Sequence, residues 1–248
     1  MRNILITGAA GGLGSAMVKR FIEAGDFVFA ADLNLGAAEN LANLYPGKVT
    51  AIELDVASSP SVQLAIATIT EEHTIHALIN NAGVQYRAKI EDFPEEQWDH
   101  LQNIMLKGPF LMTKAIFPHM KKQGFGNIVN ISSVHGVMAT PEKVAYVAAK
   151  HGVIGLTRVA ALEGAAFGIN VNAVLPGPVK TPLLEKQLTD LHDRHGLSEE
   201  QALAEIVYPK QAMKRFITSE EIADSVYFLA SKYASGITGE TISVSGGM

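Results

Sequence analysis

The chain has 248 residues, 48% of them hydrophobic and 18% charged, with a formal net charge of −5. At about 150 residues per domain this suits one large domain over residues 1–248, and the apolar fraction excludes wholesale disorder. An acidic balance excludes the basic field that nucleic-acid binding needs. The lack of cysteine excludes disulfides, thiolate zinc sites and a cysteine nucleophile, and fits a cytoplasmic protein.

In chain order, strand patterns fall at residues 4–7, 27–31, 49–54, 77–80, 127–131, 169–174 and 241–244. Helical patterns begin between them, near Gly14, Leu35, Ser61, Glu95, Val144 and Ser219. Apolar strands alternating with helices predict an α/β fold, a doubly wound, Rossmann-like parallel sheet of about seven strands. Two uncharged stretches, 3–18 and 124–141, resemble membrane segments only superficially. The first holds a glycine turn, and Asn, Ser, His, Gly and Pro interrupt the second, so no membrane partner is expected. The residues between Val174 and Ser219, with a lid insert at about 178–215, break the strand–helix rhythm. They open on Pro176-Gly177-Pro178 and carry two polar helical patterns, 181–195 and 198–207, placed where a substrate lid would follow a strand's carboxyl end.

The run Thr7-Gly8-Ala9-Ala10-Gly11-Gly12-Leu13-Gly14 joins the first strand to the first helix. Glycines there let backbone N–H groups approach a pyrophosphate at a helix N-terminus. Asp32 ends the second strand 18 residues after Gly14, where a carboxylate can accept both ribose hydroxyls and repel a 2′-phosphate. No Lys or Arg lies in the loop or just after Asp32, so NAD is expected rather than NADP. Further along, Tyr146 and Lys150 stand four apart on one face of a predicted helix, and Ser133 ends the preceding inner strand. Oxidising an alcohol needs a base for the hydroxyl proton, and a tyrosine with a pKa near 10 needs help to serve. A neighbouring ammonium favours the phenolate.

Taken in order, TGxxxGxG at 7–14, Asn80-Asn81-Ala82-Gly83, Ser133 and Tyr146-x-x-x-Lys150 resemble the short-chain dehydrogenases/reductases over nearly the whole chain. The resemblance implies Tyr146 as acid/base, Lys150 as the group that lowers its pKa and binds ribose, and Ser133 as donor to the substrate oxygen. It places Gly8, Gly12, Leu13, Gly14 and Asp32 on the cofactor, with Asp55 and Val56 at the adenine. Asn81, Ala82 and Gly83 fall at the ribose, and Pro176, Gly177, Val179 and Thr181 at the nicotinamide. It also implies a homotetramer. One position departs. Aligning Trp98 and Gly108 with the family's W…NxxG pattern puts Met105 where an asparagine stands, and Asn103 lies about 200° away on a regular helix. The Met105 carbonyl is still available, so the helix is expected to keep its kink.

A narrower resemblance, to bacterial D-3-hydroxybutyrate dehydrogenases, rests on Gly83-Val84-Gln85, Ser133-Val134-His135-Gly136, the run from Lys143 to Gly152 and the run from Thr181 to Gln187. It implies that Gln85, His135, Lys143 and Gln187 bind a substrate carboxylate. Pro178 replaces that group's Trp, and its aromatic tail is missing after Met248, which leaves room for a bulkier ketone. The expected reaction interconverts a short 3-hydroxy acid and its 3-oxo acid. Another secondary alcohol, an aromatic one included, a 3-oxoacyl thioester and a noncatalytic NAD-binding regulator remain open. The pairs His73/His76 and His192/His195 lack a third metal ligand, and Trp98 is expected to anchor its helix.

Overall fold

The computed structural model describes residues 1–180, 201 and 211–248. Strands β1 (Asn3–Thr7), β2 (Phe27–Asp32), β3 (Val49–Glu53), β4 (Ala77–Asn80), β5 (Gly126–Ile131), β6 (Ile169–Pro176) and β7 (Thr241–Val244) pair in parallel in the order β3-β2-β1-β4-β5-β6-β7. Successive side chains of a strand face opposite sides, and β1 shows why its run is apolar throughout. Ile4 and Ile6 join Met17, Phe21, Ile222 and Val226 on one face, while Leu5 joins Ile66, Ile69, Met112 and Met120 on the other.

The described helices are α1 (Gly12–Glu23), α2 (Leu35–Asn43), α3 (Ser59–Glu72), α4 (Glu95–Gln102), α5 (Gly108–Gln123), α6 (Val144–Gly164) and α7 (Ser219–Leu229). Short polar residues start several of them, because an N-cap oxygen satisfies an N–H that has no intrahelical partner. The Asn34 side chain accepts from Ala37 N, Ser58 from Ser61 N, and Thr218 with Glu221 forms a reciprocal capping box. Ser58 and the proline in the first turn start α3 two residues ahead of the expected Ser61. Among the described residues no helix is long and apolar enough to cross a membrane.

The helix that follows β4 is broken by a π turn, Asn103–Lys107, between α4 and α5. Its cause is legible in the chain. Pro109 has no N–H, so the Met105 carbonyl has no i+4 donor, and the Gly108 N–H reaches five residues back to Asn103 O. The expected kink is present without an asparagine side chain. The expected lid helices, with Thr181 and Gln187, lie outside the described residues. Trp98, expected as an anchor, is 37% exposed.

β1 and β4 are neighbours at the centre of the sheet, and the chain proceeds outward from them in both directions. Such a switch point opens a crevice at the carboxyl ends of the strands.

Candidate active site

One cleft of about 1050 Å³ runs along those carboxyl ends. It is lined by residues that follow each of six strands in turn: Asp55 after β3, Asp32 at the end of β2, Gly8 after β1, Asn81 after β4, Ser133 after β5 and Gly177 after β6. Every site residue expected from the sequence that lies among the described residues lines this one cleft.

The glycine loop has the shape a dinucleotide needs. Gly8 sits at φ +62°, and a Cβ there would meet the Ala82 Cα at 2.9 Å. At Gly14 a Cβ would collide with the Gly8 carbonyl oxygen. Only glycine at both places lets β1 turn into α1 and leave the backbone open to a pyrophosphate. Asn81 locks this turn to the neighbouring strand end, donating to the carbonyls of Thr7 and Gly8, each at 3.0 Å, while Thr7 Oγ1 accepts from the Asn81 and Ala82 amides. The Asp32 carboxylate accepts from Ala10 N at 3.1 Å and from Asn34 N at 3.0 Å, so it buttresses the loop and retains acceptor capacity toward the cleft. The cations among the cleft-lining residues are Arg87, Lys143 and Lys150, none of them beside Asp32. The donor set therefore fits NAD and disfavours the 2′-phosphate of NADP.

Beyond β5, Ser133 caps a 3₁₀ turn, its Oγ accepting from His135 N at 3.1 Å, and the His135 Nε2 lies 2.9 Å from Thr140 Oγ1. The Tyr146 ring meets the His135 ring edge-on with centroids 5.9 Å apart. One turn on, the Lys150 ammonium lies 5.6 Å from the centre of the Tyr146 ring and donates to Ile131 O at 2.7 Å. Burial dominates the electrostatics here. It pushes the Tyr146 phenol up, against the pull of its hydrogen bond with Ser133, and it lowers the Lys150 ammonium to about 8. Desolvation thus opposes the expected lowering of Tyr146 by Lys150.

Met105 is buried against Leu101, Ala145 and Ala149 and lines the same cleft. Asn103 lies away from it, on a shallow groove with Lys107, Phe110 and Leu156. The histidine pair at 73 and 76 is structural: His73 stacks near Phe27 and Phe29, and His76 Nδ1 accepts from Asn3 N. No group of residues able to hold a metal ion occurs among the described residues. Arg87 is a cleft residue that sequence reasoning missed; its partner Glu142 is 55 positions away, and nothing local signals it.

The family model described as enoyl-(acyl carrier protein) reductase matches residues 8–248. An uncharacterised oxidoreductase of Bacillus subtilis is 42% identical over 98% of this chain and 96% of its own. The D-beta-hydroxybutyrate dehydrogenase of Rhizobium meliloti is 39% identical, over 99% of this chain and 98% of its own. A crystal structure of NAD+-bound xylitol dehydrogenase superposes with a TM-score of 0.93 at 28% identity, over 99% of this chain and 98% of its own. Because the match begins at the first glycine of the cofactor loop and runs to Met248, and the relatives align over nearly their whole lengths, the chain belongs to the short-chain dehydrogenase/reductase family and is an NAD-dependent oxidoreductase.

Proposed function

We propose that this enzyme interconverts a short 3-hydroxy acid, D-3-hydroxybutyrate foremost, and its 3-oxo acid. The observation that carries this reading is the position of Lys143. It stands at the N-terminus of α6, three residues before Tyr146, and lines the cleft with Gln85 and His135. A cation thus lies one short carbon chain from the reacting hydroxyl, among polar groups that converge on one end of the cleft. Gln187, outside the described residues, is assigned to the same carboxylate.

In this reading the carbinol oxygen lies between Ser133 Oγ and the Tyr146 phenol. Ser133 donates to that oxygen, and Tyr146 removes its proton during oxidation and returns it during reduction. Lys150 stabilises the phenolate by its charge and holds the nicotinamide ribose. Bound NAD would supply the hydride acceptor for the carbinol carbon. The Lys143 ammonium orients the acid so that the carbinol, and not the carboxylate, meets Tyr146.

A panel of short 3-hydroxy acids and neutral secondary alcohols, each with NAD and NADP, tests the reading. Turnover of 3-hydroxybutyrate above the neutral alcohols supports it. No turnover of any 3-hydroxy acid beside good oxidation of a neutral or aromatic alcohol overturns it. We also read the chain as a homotetramer. Exposed Phe110 on α5 and Val159 and Leu162 on α6 support self-association, which light scattering measures.

A further inference from the structure

The reaction as described assigns the Gln85 amide to the substrate carboxylate, which takes up only its N–H donors, and gives Arg87 no role. Arg87 and Gln85 are two residues apart in the irregular segment after β4, and both line the cleft. The Arg87 Nε and the Gln85 Oε1 are both buried, and neither has a hydrogen-bond partner. Two side chains that line the cleft therefore each carry one buried polar atom without a partner, a donor on Arg87 and an acceptor on Gln85.

Arg87 is held from behind. Its Nη2 donates to Glu142 Oε2 at 2.8 Å, and the Ala88 amide donates to the Glu142 carbonyl at 3.2 Å. Glu142 is not a cleft residue, and it adopts φ +66°, a left-handed backbone that a residue with a Cβ keeps only where its surroundings impose it. This clamp joins the segment carrying Gln85 and Arg87 to the residue immediately before Lys143. It also neutralises the guanidinium. Arg87 then offers the cleft a fixed, directional N–H with little net attraction for an anion.

The chemistry of the pair selects its ligand. A methyl or methylene group satisfies neither atom. A carboxylate only accepts, so it serves Arg87 and leaves the Gln85 oxygen unpaired. A hydroxyl accepts from Arg87 Nε and donates to Gln85 Oε1, which satisfies both with one uncharged group. We propose that the preferred substrate is a 3-hydroxy acid bearing a further hydroxyl beside the reacting carbinol, recognised by Arg87 and Gln85, with Arg87 as the specificity-determining residue. This rests on the assignment of the cleft to 3-hydroxy acids.

The test compares kcat/KM for 3-hydroxybutyrate, 2,3-dihydroxybutyrate and 3,4-dihydroxybutyrate in the native enzyme and in Arg87→Lys. The lysine keeps a cation for Glu142 but has no donor at the Nε position. One of the two dihydroxy acids is expected to exceed 3-hydroxybutyrate by at least about tenfold, and Arg87→Lys should bring that ratio close to 1. Inhibition constants of 4-hydroxybutyrate and butyrate give a second reading that needs no turnover at the carbinol. Only the hydroxylated inhibitor should weaken in the variant if the further hydroxyl lies on the carbon beyond the carbinol. The inference is overturned if 3-hydroxybutyrate is turned over and neither dihydroxy acid is preferred, or if a preference survives Arg87→Lys. Failure of all three acids beside oxidation of neutral alcohols would instead overturn the assignment on which it rests.

Discussion

The Lys150 ammonium donates to the main-chain carbonyl of Ile131 at 2.7 Å, which ties the second turn of α6 to the end of β5 through a buried charge. The contact fixes the lysine one turn from Tyr146 and satisfies one of its three N–H donors.

That burial costs stability. The pKa of Lys150 falls from 10.5 to about 8 on folding, so between those values the unfolded chain binds more protons than the folded one. Stability should therefore rise with pH from about 8 toward 10.5 and carry the full penalty below 8. Lys150→Met should stabilise the fold at pH 7 by about 1–3 kcal/mol while lowering kcat/KM at least about 100-fold. Urea unfolding beside steady-state rates checks both. A less stable Met variant would show that the Ile131 hydrogen bond outweighs the desolvation.

Asp32 holds the Ala10 amide of the loop and is expected to set cofactor choice by repelling a 2′-phosphate as well. NAD should exceed NADP by at least about tenfold in kcat/KM, or about 1.4 kcal/mol. Asp32→Ala should narrow that gap, but because the loop loses its buttress, NAD should lose more than NADP gains. Equal use of both cofactors by the native enzyme would contradict the electrostatic argument.

Lys143 should matter in proportion to substrate charge. Lys143→Ala is expected to cost about 2–4 kcal/mol of transition-state stabilisation on 3-hydroxybutyrate and far less on a neutral secondary alcohol. Equal losses on both would make Lys143 a helix-start residue without a carboxylate to bind.

Met105 and Pro109 divide a task. The open carbonyl belongs to Met105, and the missing donor that keeps it open belongs to Pro109. Met105→Asn should therefore change kcat by less than about tenfold, or 1.4 kcal/mol. Pro109→Ala restores an N–H that can close an ordinary helical bond, and it should lower kcat by more than Met105→Asn does. Hydrogen exchange at the new amide would report the closure; a freely exchanging amide with a low kcat would point to another cause.

Much of this protein is written in short stretches of chain. Strand positions follow from apolar runs that need cover on both faces, and β4 and β7 begin and end where the pattern predicts. Ser58 and Thr218 mark helix starts because their oxygens meet orphan amides a turn away. Pro109 determines the π turn by lacking one hydrogen. The residues around the cofactor loop, and the Ser133, Tyr146 and Lys150 set, could be named because each lies at a strand end or on a helix face that local spacing defines.

Other features depended on segments distant in sequence. Gly8 needs to be glycine because the Ala82 Cα, from the segment after β4, occupies the place where a Cβ would sit. Arg87 entered the cleft through an ion pair spanning 55 positions, which no local pattern announces. The directions of the Tyr146 and Lys150 pKa shifts came from burial, whereas their spacing suggested only mutual attraction. Spacing along a helix states which groups are neighbours. How much water they lose, and which carbonyl or carboxylate from a remote segment replaces it, is decided only when the sheet and its helices close over them.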